Sequence, residues 1–152
     1  MSTSPITPIT DAQSWQLLRH ARVGRLATSS SGATRTFTVN FVVDVDSLVF
    51  RTAPDWPLLR LAHDSPVTVE IDEALLHDSV STDSLPGALV PGDNWSVVVT
   101  GRAAIITNPF EIALAERLPL DEWTAPVAPV FVRITPSAVT GEHGAATARP
   151  PR

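Results

Sequence analysis

The chain alternates apolar and polar residues with a period of two over several stretches, and this pattern predicts strands. It begins at Leu26 and Thr28, then places Phe37, Val39, Phe41 and Val43 on one face and Thr36, Thr38 and Asn40 on the other. Two strands joined by a turn at 29–32 follow from this. A third, SLVFRTA from Ser47 to Ala53, is reached through a tight turn at 44–46. Val67, Val69 and Ile71 alternate with Thr68, Glu70 and Asp72, which gives a fourth strand with one polar face. Trp95 to Thr107 is the longest apolar run, and its length predicts a fifth strand buried on both faces. Val130 to Ile134, with Val139 beyond Pro136, supplies the sixth.

Helical signals are fewer and shorter. Thr10 followed by Gln13 is a capping box, and Trp15, Leu18 and Arg22 then share a face, which predicts a helix over 11–21. Asp55 can cap a short helix carrying Leu58, Leu61 and Ala62. Asn108, Pro109 and Glu111 give an N-cap, a Pro at the first turn and an acid at N3, with the helix running to about Arg117. Residues 73–94 hold Pro86, Gly87, Pro91 and Gly92 without a clean period and read as one long loop. Residues 1–10 and 141–152 read as flexible tails around one domain over 11–140. Six strands and three short peripheral helices define a mainly β class, a barrel with helical additions; an open α+β sheet is the alternative. The regular βαβ order of a doubly wound sheet is absent.

Composition removes several chemistries. The 152 residues include no Cys and no Tyr, and all eleven basic residues are Arg. Disulfides, thiolate nucleophiles, Schiff-base lysines and tyrosyl acids are therefore excluded. A net charge of −5 argues against nucleic acid as a partner. No apolar run reaches the roughly 18 residues of a membrane span, and the first ten residues lack a secretory pattern, so a cytoplasmic protein is expected. His20, His63, His77 and His143 show no metal-ligand spacing, and no G-x-S-x-G elbow is present. Glu70, Asp72 and Glu73 read as a solvated sheet face.

Arg51-Thr52 carries more. An Arg at a strand end, beside a hydroxyl and ahead of an Asp-capped helix, suits a phosphate: the guanidinium offers bidentate bonds and the helix end another. An exposed edge Arg near Asp55 fits the same residues equally well.

Six runs in order sharpen the choice: WQLL from Trp15, VGRLAT from Val23, VNFVV from Val39, LVFRTA from Leu48, PVTVEID from Pro66 and WSVVVTGRA from Trp95. Together they resemble the pyridoxamine 5'-phosphate oxidase-related FMN-binding split-barrel family over residues 11–107. The resemblance implies a six-stranded split barrel that forms a homodimer with FMN in a cleft between subunits. It further implies that Arg51 and Thr52 meet the phosphate, that Asn40 and Phe41 lie by the isoalloxazine, and that Trp95 and Ser96 approach from the partner copy. Arg25 is expected to line the same cleft. Relatives commonly carry a Lys where this chain has Pro57, which leaves Arg60 as the replacement cation, and many have Pro where Thr38 stands. The implied function is an FMN-dependent oxidoreductase acting on a small molecule. The alternatives are a deazaflavin-dependent reductase using the same cleft, or a split-barrel dimer without flavin that binds another ligand or serves as an interaction module.

Overall fold

In the computed structural model the described residues are 6–30, 33–54, 65–72 and 94–144. The period-two segments form strands β1 (Ile6–Ile9), β2 (Val23–Ser30), β3 (Ala33–Asp44), β4 (Ser47–Thr52), β5 (Ser65–Asp72), β6 (Asn94–Ile105) and β7 (Val130–Gly144). Two helices accompany them, α1 (Asp11–His20) and α2 (Pro109–Ala115). The expected helix after Asp55, the loop at 73–93, Pro57 and Arg60 lie outside the described residues.

The sheet runs β1-β7-β4-β3-β2-β5-β6, every pairing is antiparallel, and β6 pairs back onto β7. That last ladder closes β2 to β7 into a six-stranded barrel and leaves β1 as an added strand on β7. Closure removes the open edges that a six-stranded sheet would otherwise present. The mainly β barrel with short peripheral helices expected from the sequence is therefore the fold.

Alternation decides what fills the interior. Val39 and Phe41 of β3, Leu48 and Phe50 of β4, Val67, Val69 and Ile71 of β5, Val97 and Val99 of β6, and Val132 and Ile134 of β7 form one buried cluster. Helix α1 closes onto β3, β6 and β7 with Leu17 and Leu18, both fully buried. Its start follows the expected capping box: Thr10 Oγ1 accepts from the Gln13 N–H at 3.1 Å, and Gln13 Oε1 accepts from the Thr10 N–H at 3.2 Å. The buried face is Ser14, Leu17 and Leu18, whereas Trp15 stays half-buried under the Arg19 guanidinium.

A second cluster lies on the outer wall. Val49 of β4 and Phe131 of β7 point away from the barrel interior and are covered by Ile106, Ala115, Ile112, Leu118 and Leu120. Helix α2 supplies part of this cover, fixed at its start by Asn108 Oδ1, which accepts from the Phe110 and Glu111 N–H groups at 2.8 and 3.2 Å. The stretch after α2 is thereby drawn across β4, which builds one side of the cleft described below.

Three expectations are corrected. Strand β6 is buried on one face only: Trp95, Val97, Val99 and Ala103 point inward, while Thr100, Arg102 and Ala104 are exposed on the outside. The apolar run is long because Ala and Val occupy outward positions too, not because both faces are covered. Residues 6–9 and 141–144, read as parts of the tails, are strand instead. Ile6–Ile9 pairs with Gly141–Gly144, so the strand continues on both sides of residues read as chain ends. Finally, β7 extends through Pro136, where a register shift opposite Thr100 and Gly101 leaves Ser137 as an extra residue. A bulge accommodates a Pro that has no N–H to give. The Ser137 hydroxyl donates to the Thr100 carbonyl at 3.1 Å across it.

Candidate functional site

Strand alternation sets which predicted residues can meet. Asn40 and Arg51 both point outward from β3 and β4, and the register that pairs Phe41 with Phe50 sets them side by side. They form the floor of an open cleft of about 240 Å³ whose far wall is Leu120, Asp121, Glu122, Trp123, Thr124 and Ala125. Arg51 spans the two sides. One Nη2–H donates to the Asp121 backbone carbonyl, and the guanidinium carbon lies 5.7 Å from the centre of the Trp123 ring. Trp123 is itself tied down, its Nε1–H donating to the Val127 carbonyl at 2.8 Å. A guanidinium carries five N–H donors in a planar fork, so an Arg held by one carbonyl keeps donors for an anion in the cleft.

The remaining predicted residues separate from this pair. Thr52 is buried, and as the next strand residue it faces the opposite side from Arg51. Its hydroxyl and the Arg51 guanidinium therefore do not converge through their side chains. Phe41 faces inward for the same reason and is 2% exposed in the barrel core rather than lying in the cleft. Trp95 is also 2% exposed and belongs to that core, which overturns its expected place at a subunit interface. Its indole Nε1 has no hydrogen-bond partner among the described residues.

Ser96 lies half-buried at the start of β6, in register with Asp72 of β5 and Glu142 of β7. Arg25 reaches Glu70 at 3.2 Å and Asp72 at 2.5 Å on the outside of β2 and β5. Those carboxylates, read as a solvated face, are thus partners of a cation. The hydrogen bond that Arg25 donates to Asp72 holds the guanidinium above its ordinary pKa, against an opposing desolvation, so it stays charged throughout the working pH range. Arg25 does not line the Arg51 cleft.

Sequence reasoning missed the segment that builds the far wall. Its signal was weak: Trp123 stands in an aperiodic stretch between Pro119 and Pro129 and meets Arg51 across 72 positions of chain. The residues present suit an anionic group at Arg51, while Asp121 and Glu122 put two acidic residues in the same lining. A half-buried Arg and an Asn amide converge on one open cleft, with the indole against the guanidinium, and this supplies donors for such a ligand.

The chain is thus a closed antiparallel barrel with an Arg-bearing cleft on its outer wall. The sequence profile of the pyridoxamine 5'-phosphate oxidase family matches residues 10–143, and the chain belongs to that family. The fold matches the FAD binding protein from Mycobacterium smegmatis with a TM-score of 0.75 at 28% identity, over 91% of this chain and 98% of that one. It matches a conserved protein of unknown function from Corynebacterium diphtheriae with a TM-score of 0.74 at 28% identity, over 92% and 98% of the two chains. An uncharacterized protein of Mycobacterium tuberculosis is 39% identical over 51 residues, which are 34% of this chain and 46% of that protein. The chain thus matches about half the length of its curated relatives.

Proposed function

We propose that the chain is a flavin-binding oxidoreductase that takes FMN in the Arg51 cleft and acts as a homodimer on a small-molecule substrate. The observation that carries this reading is Arg51 held in the cleft beside Asn40 and Trp123. Family membership and the 28% identity to the FAD binding protein of Mycobacterium smegmatis support it. A bound flavin supplies the hydride chemistry itself. The chain's own part is binding and orientation. Arg51 meets the phosphate, the Asn40 amide offers hydrogen bonds to the polar edge of the ligand, and the segment at 120–125 forms the facing wall. With no Lys in the chain, the phosphate charge falls to Arg side chains.

The test is a pair of titrations. Arg51→Ala removes a charge-assisted donor and should weaken FMN by about 30- to 1,000-fold, or about 2 to 4 kcal/mol. Riboflavin has no phosphate and should bind the two proteins alike. Equal FMN affinity before and after the change would remove the clamp. Wild-type protein that ignores FMN and FAD but takes up a deazaflavin would shift the assignment to that coenzyme, and refusal of all three would favour the cofactor-free ligand-binding barrel.

A further inference from the structure

The contacts around Arg51 do more than line a cleft. Without an ion-pair partner among the described residues, the side chain is aimed by a backbone carbonyl and a ring face, both from the segment after α2. That segment is fixed in turn at two places. Leu118 and Leu120 pack into the outer cluster with Val49 and Phe131, and the Trp123 Nε1–H is bonded to the Val127 carbonyl. Val49 and Arg51 lie two apart on the outward face of β4, so one strand anchors the wall through Val49 and is steered by it through Arg51. A carbonyl takes one guanidinium N–H without neutralising the charge, whereas a carboxylate partner would compete with an anionic ligand.

We propose that Trp123 is a positioning residue for Arg51: the indole face and the Asp121 carbonyl hold the guanidinium so that its remaining N–H donors meet the anionic group of the ligand. This rests on reading the cleft as a flavin phosphate site. It goes further in assigning the phosphate specificity to a residue that acts through Arg51. Trp123 then contributes to FMN binding only while Arg51 is present, and contributes little to riboflavin.

Two measurements test it, the first without flavin. The chain has four Trp residues, so the emission change caused by Arg51→Ala is recorded in the wild type and again in a Trp123→Phe background. A shift in the first and none in the second is the expected result. Similar shifts in both, or none in either, would show that the cation and the ring do not pair and would overturn the proposal even if flavin binds. The second measurement is a double-mutant cycle read by FMN and riboflavin titration. Trp123→Ala should weaken FMN about tenfold, as loss of a partly buried cation–π contact implies. Trp123→Phe should recover most of that loss, and Trp123→Ala should add nothing in an Arg51→Ala background. Additive losses, or an equal loss for riboflavin, would mean that Trp123 touches the ring system directly and would overturn the positioning role. Wild-type protein that binds neither flavin would sink the functional reading, and the emission experiment would still decide the pairing.

Discussion

Trp95 shows how one residue can carry two incompatible roles when only its sequence is read. Its place at the head of an apolar run suits an interface anchor, yet the strand turns it inward among the core residues of the barrel. Truncating it should therefore act on folding. Trp95→Ala leaves a cavity in a closed barrel and should cost about 3 to 5 kcal/mol of stability in denaturant unfolding. The unpartnered indole Nε1 makes a second variant informative. Trp95→Phe removes a buried donor that costs stability when unpaired, so part of the lost volume is offset and the loss should stay within about 1 kcal/mol. A Trp95→Ala protein with unchanged unfolding midpoint would return the residue to an interface role.

At the scale of the elements, the bulge between β6 and β7 is the feature most exposed to a single methyl group. A Cβ on Gly101 would collide with the Thr135 carbonyl oxygen and lie 2.9 Å from Pro136 Cα, both backbone atoms of the bulged strand. A Cβ on Gly24 would instead meet side-chain atoms of Val69, Phe41 and Ile71 at 3.0 to 3.3 Å, which can shift. Gly101→Ala should thus lower stability by about 3 kcal/mol and Gly24→Ala by clearly less, as measured by chemical denaturation. If the two substitutions cost the same, the close approach at the bulge is not what constrains Gly101. The same strand pair shows what the sequence could and could not convey. Strands β2, β3 and β5 were legible because alternation reports which face is buried, β4 and β6 from their apolar runs although the burial of β6 was misread, and both described helices from their caps. Strand β1 and the far half of β7 were not. Pro8, Pro136 and Gly141 look like punctuation locally, and only the pairing of Ile6–Ile9 with Gly141–Gly144 and the bulge beside Gly101 make them strand residues. The site divides in the same way. Asn40 was legible on the polar face of its strand and Arg51 as a strand-end Arg, whereas Thr52 was joined to Arg51 by adjacency and Phe41 to Asn40 by the family resemblance, and adjacency on a strand means opposite faces. Trp123 reaches Arg51 only through the packing of the segment after α2, a contact no local pattern encodes.

For the whole molecule, the proposed homodimer makes a prediction about the cleft. Its described walls enclose about 240 Å³, and Arg51, Asn40 and the segment at 120–125 cover it on two sides. Sites that enclose a drug-sized ligand usually hold about 300 to 1,000 Å³ and bury most of its surface. A flavin in this cleft needs a wall beyond the described residues, and the proposed homodimer supplies one if the cleft faces the partner. The outer surface is compatible with association, since Phe110 and Leu114 stand four residues apart on α2 and are 72% and 49% exposed. The expected mass in solution is twice 16.3 kDa, read by light scattering at micromolar concentration. Shared walls make a sharper prediction than mass alone. If both copies build each site, FMN affinity should fall as the protein is diluted through its dimer dissociation range, because the ligand-competent state is then the dimer. A single species of 16.3 kDa that binds FMN with a dilution-independent affinity would show that one chain completes its own site.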